Sequence, residues 1–230
     1  MATATHGSLA ENAAAYLRRS GHTDEGSSGD SQEIDRQAAR LIQWAQEKNV
    51  ILPDSYTSGF EKFEATTAEH EVFYRPSDNR AVKLTHAGSF GATPAPKGEQ
   101  QAATPLFYLC RLGLMNEFFL SDLRLEGVIL AKSLILFAQG TQPRLVVSQP
   151  WIQADNLKYP YPTNEEITAF MKSCGFTLIK KSYFGWQNKK AQLLILDARA
   201  DNFIKSKAGV VPIDLVISKK QTKTKKRKVI

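Results

Sequence analysis

The segment LDARADNF, residues 196–203, brings Asp197, Arg199 and Asn202 into one short turn-rich stretch. A further carboxylate, Asp214, sits inside the apolar run VVPIDLVI at 210–217, and Lys83 ends the triplet AVK at 81–83. Phosphoryl transfer from ATP asks for such a set, because its catalysis is mostly positioning and charge neutralisation. A strand lysine holds phosphates, a carboxylate accepts the hydroxyl proton, and an amide with a second carboxylate holds magnesium. Each residue alone has a plainer reading. Lys83 would be an exposed strand lysine with its ammonium in water. Asp197 and Asn202 would be turn residues, and Asp214 would bond to amides of its own hairpin. Their order and spacing together favour the chemistry. Asp214 adds to this, since a carboxylate in an apolar run is costly without a cation or donor.

The surrounding pattern supplies elements to hold these residues. Residues 20–32, SGHTDEGSSGDSQ, read as a linker. Ile34, Ala38, Leu41, Ile42 and Ala45 then recur at helical spacing to about Asn49. HEVFY (70–74) and AVKLTH (81–86), joined by the turn residues PSDNR, predict a β-hairpin. Residues 87–104 read as a surface loop. A helix follows, with Thr104 as N-cap and Pro105 at its first position, burying Leu106, Leu109, Leu112, Leu114 and Phe118. LRLEGVILA and PRLVVSQPWI read as strands. Thr163 and Glu166 form a capping box that opens another helix, which Gly175 stops. AQLLILDA is a strand, and NFIKSKAGVVPIDLVI a hairpin turning near 207–209. The fold class is α+β, in two lobes.

Bulk properties narrow the setting. Two distant cysteines, Cys110 and Cys174, without metal spacing suggest a reduced, cytoplasmic protein. His6, His22, His70 and His86 show no metal spacing either, and His70 and His86 read as surface residues flanking the hairpin. No apolar run reaches the length of a bilayer span, which argues against a membrane partner. Of the formal net charge of +7, most lies in the tail KKQTKTKKRKVI (219–230), which holds seven Lys or Arg and no acid. Such a tail reads as a disordered end, with nucleic-acid contact a weaker reading resting on it alone.

The blocks EHEVFY, AVKLTH, GSFG, TPLFYLCRLGLMNEFF, LRLEGV, VSQPWI, PTNEEI, LDARADNF and VVPIDLVI together resemble the kinase-like domain of polyvalent proteins. Those are large multi-domain proteins of phages and other bacterial mobile elements. The resemblance spans roughly residues 56–218. It implies a reduced, two-lobed protein-kinase-like fold with a β-rich N-lobe, one inserted helix and a truncated C-lobe. It further implies serine/threonine/tyrosine kinase activity with ATP and Mg²⁺ as cofactors and a protein as substrate. Carried over by position, Lys83 binds phosphate, Asp197 is the catalytic base with Arg199 in the same loop, and Asn202 and Asp214 hold Mg²⁺. VSQPWI would connect the lobes, with Gln149, Pro150 and Trp151 facing adenine. Glu117 is the first choice for the helix carboxylate pairing with Lys83, with Glu126 or an unpaired lysine as alternatives.

The chain also departs from that pattern. No G-x-G-x-x-G loop is present; SGFEKFEATTAEHE (58–71) offers only Gly59 ahead of the hairpin, and phosphate-cradling amides are harder to present without glycine. Ile195 and Leu196 stand where His and Arg precede the kinase base, and Leu215 and Val216 follow Asp214 in place of Phe and Gly. Only residues 215–230 follow Asp214, with no activation segment. A catalytically inactive module that binds nucleotide or a partner through the same cleft is therefore the alternative reading. The expected domains are an N-terminal extension (1–52), an N-lobe (53–147), a reduced C-lobe (148–218) and the basic tail (219–230).

Overall fold

In a computed structural model, the structure describes residues 6–19, 21, 30–63, 69–94, 100–132, 140–180, 182 and 184–220. Most of the basic tail and of the 20–32 linker lie outside these residues. Helices α1 (His6–Arg19) and α2 (Ser31–Glu47) come first. They are followed by strands β1 (Glu61–Lys62), β2 (His70–Arg75), β3 (Arg80–Thr85), β4 (Ala92–Pro94) and β5 (Gln100–Ala102). Helix α3 (Pro105–Phe119) leads to β6 (Arg124–Lys132) and β7 (Thr141–Pro150), then α4 (Asn164–Ser173). Six short strands complete the described residues: β8 (Thr177–Leu178), β9 (Trp186–Asn188), β10 (Leu193–Ile195), β11 (Phe203–Ser206), β12 (Gly209–Pro212) and β13 (Ile217–Lys219). The mixture of helices and antiparallel sheets is α+β.

Local signals explain most elements. Thr104 Oγ1 accepts from Phe107 N, and Pro105 starts α3 where its missing N–H costs nothing. The Thr163–Glu166 capping box opens α4 as expected, and Gly175 follows its end at φ +79°. Asp30 caps α2 by accepting from Gln32 N, so Ser31 and Gln32 belong to the helix and not to the linker. The segment 87–104, expected as a loop, contains the β4–β5 ribbon. β12 ends at Pro212, which has no N–H to donate to a ladder. Beyond it the chain bends through Asp214 and pairs as β13 with β10, so the expected 202–217 hairpin is only β11–β12.

The main sheet is antiparallel in the order β1-β2-β3-β7-β6, and β13-β10-β9-β8 form a second. Side chains of paired residues share a face. On one face Phe73, Val82, Leu84, Ile129 and Val146 form a small apolar layer under Leu52, Tyr56 and Phe60. The other face contributes Leu125, Val128, Leu145 and Val147 to a larger cluster. That cluster continues through α1, α2 and α3 to Met171, Phe203 and Ile217. A register shift between Leu125 and Gly127 returns Val128 to this face. Gly127 is required there, because a Cβ would lie 2.5 Å from Val50 O. Helix α1 packs Ala10, Ala13, Ala14 and Leu17 into the same core, and Asn12 Oδ1 accepts from the buried Trp44 at 3.0 Å.

Candidate functional site

Strand β3 lies between β2 and β7, so Lys83 is pinned by neighbours on both sides. Its side chain leaves the sheet on the face of its partner Val147, and the residue is 6% exposed. Nζ donates to Ile213 O at 2.7 Å, tying the sheet to the bend after β12. Burial pulls the ammonium below its ordinary pKa, with Asp214 and Glu69 opposing the fall.

Asp214 lies in that bend among cations. Arg111, from the middle of α3, donates Nη2 to Asp214 Oδ1 and Nη1 to Glu69 Oε1 at 2.5 Å. Arg111 Nε donates to Leu215 O at 2.9 Å. His70 Nδ1 stands 3.4 Å from Asp214 Oδ2, while His70 Nε2 and the Tyr108 hydroxyl are 2.8 Å apart. Burial pushes the Asp214 carboxyl up, but Lys83, Arg111 and His70 together outweigh it and hold the carboxyl well below its usual range. Burial also works against the charge of Arg111, yet Glu69 and Asp214 keep its guanidinium firmly protonated. Gly91 makes room for this network. At φ +76° it could carry no ordinary side chain, and a Cβ would lie 2.3 Å from the Glu69 carboxyl.

The Asp197 loop follows β10 and is laced to the Asp214 bend. Asp197 Oδ1 accepts from Val216 N at 2.6 Å, and its Oδ2 accepts from Asn202 Nδ2 at 2.8 Å. Asn202 O in turn accepts from Ile213 N at 2.9 Å. Burial pushes the Asp197 carboxyl up to about 6, against the lowering pull of Arg111 and the Val216 N–H. A carboxyl poised near neutrality suits proton transfer.

Lys83, Asp197, Asn202 and Asp214 thus belong to one hydrogen-bonded network, in which Lys83 and Asn202 are buried and the two aspartates half-buried. The others are placed differently. Arg199 is exposed and pairs with Asp201 at 2.9 Å, away from Asp197. Glu117 is exposed on α3. At about 100° per residue it lies well off the face that carries Tyr108, Arg111 and Met115. Glu126 projects from the opposite face of the sheet, accepting from Ser148 Oγ at 2.5 Å and Arg75 at 3.1 Å. Neither carboxylate pairs with Lys83, and the inward charge of α3 is Arg111. Gln149 pairs with Ala81 and so shares the Lys83 face. Its Oε1 is buried without a hydrogen-bond partner among the described residues. Pro150 ends β7. Trp151 stands 4.9 Å from Phe63 and 5.0 Å from Tyr74, between ring centroids. His70, expected at the surface, is 1% exposed.

Sequence reasoning passed over Glu69, His70, Tyr108 and Arg111. The available signal was Arg111 itself, a charge set among apolar neighbours in the helix PLFYLCRLGLMNEFF, whose other charged residue is Glu117. Among the described residues, Glu69, His70 and Asp214 offer ligand atoms all within 4.8 Å of one another. The cavity bounded by Lys83, Tyr108, Arg111, Val147 and Asp214 is about 10 Å³, no larger than one water. A larger concavity, about 470 Å³, covers Phe73, Leu84 and Ile129 on the opposite face and shares no residue with this network.

Among the described residues, no helix is long and apolar enough to cross a membrane. No curated protein and no solved structure matches the chain. A family model described as "Serine/Threonine/Tyrosine Kinase found in polyvalent proteins" matches residues 34–221. That span takes in the main sheet, α3, α4 and both acidic loops, and the chain belongs to this family of kinases found in polyvalent proteins.

Proposed function

We propose that the chain is an ATP- and magnesium-dependent phosphotransferase with a reduced two-lobed kinase-like layout. The observation that carries this reading is the bond from Lys83 Nζ to Ile213 O, across 130 positions of sequence. It sets a strand lysine beside Asp214, one loop away from Asp197 and Asn202. The donor set fits magnesium and a polyphosphate: hard carboxylate and amide oxygens for the ion, a cation for the phosphates. The orphaned Gln149 Oε1 on the same face adds an acceptor for a base amine. When bound, Mg²⁺ supplies neutralisation of phosphate charge.

The chain's own residues supply the remaining steps. Lys83 orients phosphate, and Asp197 accepts the proton of the acceptor hydroxyl. Asn202 and Asp214 hold the ion, while Gln149, Pro150 and Trp151 border the base. The acceptor is a hydroxyl, on a protein by analogy with the family. A second reading, an inactive nucleotide- or partner-binding module, draws on the 10 Å³ cavity and on the engagement of Asp214 by Arg111.

Calorimetry of ATP binding with and without Mg²⁺, on the parent and on Lys83→Ala with Asp214→Asn, tests the site. Magnesium-dependent binding that the double variant lacks is expected, and no binding by the parent at millimolar nucleotide would refute the proposal. Turnover of radiolabelled ATP by the parent, lost in Asp197→Asn with binding retained, separates enzyme from inactive module.

A further inference from the structure

The network around Asp214 contains more fixed cation than a metal-binding carboxylate needs. Both Glu69 and Asp214 could ligate an ion, and both are hydrogen-bonded to the same guanidinium. Arg111 is 4% exposed and anchored through Nε to Leu215 O, so its fork is aimed and not free to wander. Its charge is divided between the two carboxylates. The Glu69 carboxyl lies against Gly91, with Oε1 3.5 Å from His70 Nε2.

We infer that Arg111 is a positioning residue that competes with the divalent cation for Asp214, and that Glu69 weakens its hold. The inference rests on the proposed magnesium-dependent reading. A guanidinium bonded to Asp214 Oδ1 draws on the same carboxylate charge that would hold the ion, and a cation beside the ion raises the cost of its entry. The ion concentration at which the site fills is therefore set by the balance of Arg111 against Glu69. This fits a small cavity at a site built from metal-binding residue types, with Arg111 among the side chains that line it.

The test is the half-saturating concentration of Mn²⁺, read by electron paramagnetic resonance of free ion in the presence of a non-hydrolysable ATP analogue. Mg²⁺ calorimetry serves as its check. Glu69→Gln leaves Arg111 undivided and should raise the half-saturating concentration on the order of tenfold. Arg111→Gln should lower it by a similar factor, and Arg111→Lys, which keeps charge but loses the fork, should fall between that variant and the parent. The double variant Arg111→Gln with Glu69→Gln leaves no guanidinium for Glu69 to divide, but also loses one anion, so it should fall between Arg111→Gln and the parent. It also keeps the buried charge neutral, so it remains informative if Arg111→Gln alone does not fold.

A merely structural Arg111 would raise the requirement in every variant. Shifts in one direction for both single variants, or a double variant as weak as Glu69→Gln alone, overturn the inference while leaving metal binding by the parent intact. Absence of any ion or nucleotide binding by the parent overturns the functional reading, and the inference with it.

Discussion

Asp197 and Asp214 stand in neighbouring loops clasped by Asn202, both partly withdrawn from water, and their acid–base states diverge. Asp214 has Lys83, Arg111 and His70 about it and stays ionised far into the acid range. Among the described residues, the Asp197 carboxyl accepts from neutral donors, the Val216 N–H and the Asn202 amide, with Arg111 acting from farther off. There burial prevails and the carboxyl rises to about 6. Two groups of one chemical type are thus pushed apart by what their loops bring near: a permanent anion suited to holding a cation, and a carboxyl suited to exchanging a proton.

The contrast is broken most severely at Asp214. Asp214→Ala leaves Arg111 and Lys83 buried with less counter-charge, and removing one partner of a buried ion pair costs about 3–5 kcal/mol. Urea unfolding should show that loss. At Asp197 the same measurement should show far less. Asp197→Asn imitates the protonated acid but can accept only one of the two donated bonds, a cost of about 1 kcal/mol. Turnover, by contrast, should be abolished. If Asp197→Asn destabilises as much as Asp214→Ala, the two sites do not differ as described.

Titration sharpens the same contrast. The folded pKa of Asp197 is raised, so the folded state favours its protonated form. Its contribution to stability is present below the ordinary carboxylate range and is lost as pH rises through about 6. Asp214 has a depressed pKa, so its contribution is present at neutral pH and is lost as pH falls below the ordinary range. Turnover should therefore climb through about pH 6 as Asp197 ionises. In the unfolding free energy, Asp197→Asn should remove the decline between about pH 4 and 6 while leaving the acid loss in place.

The residues that open this contrast were legible as types and the ones that settle it were not. Lys83, Asp197, Asn202 and Asp214 stand in readable local contexts: a hairpin strand, a turn and an interrupted apolar run. The caps at Thr104 and Thr163 likewise announce α3 and α4, because capping is a local exchange of side-chain and backbone bonds. Arg111 and Glu69 acquire meaning only when α3 is laid across the sheet, a long-range event without local signature. Glu117 was preferred for its charge, whereas helix phase turns it to solvent. Helix α1 escaped because Ala10, Ala13 and Ala14 carry little hydrophobic weight each, although their spacing is helical and all three are buried. The polar type of His70 suggests the surface, but its position decides otherwise. In the sheet it falls on the Lys83 face, two steps along the ladder, and is buried with it.

The weakest expected effect is at Arg199, which the resemblance sets in the catalytic loop with Asp197. Arg199 and Asp201 are each 54% exposed in their side chains and bond to one another at 2.9 Å. An exposed pair of this kind contributes about 1 kcal/mol or less, and salt screens it. Its charge points to solvent, so the rise of turnover near pH 6 should not move in Arg199→Ala, and the unfolding midpoint should stay close to that of the parent. A loss of maximal turnover with the pH profile unchanged would mean that Arg199 meets the acceptor from the exposed side of the loop. A displaced profile would mean that it reaches Asp197, and the separation between the buried carboxyl and its exposed neighbour would then fail.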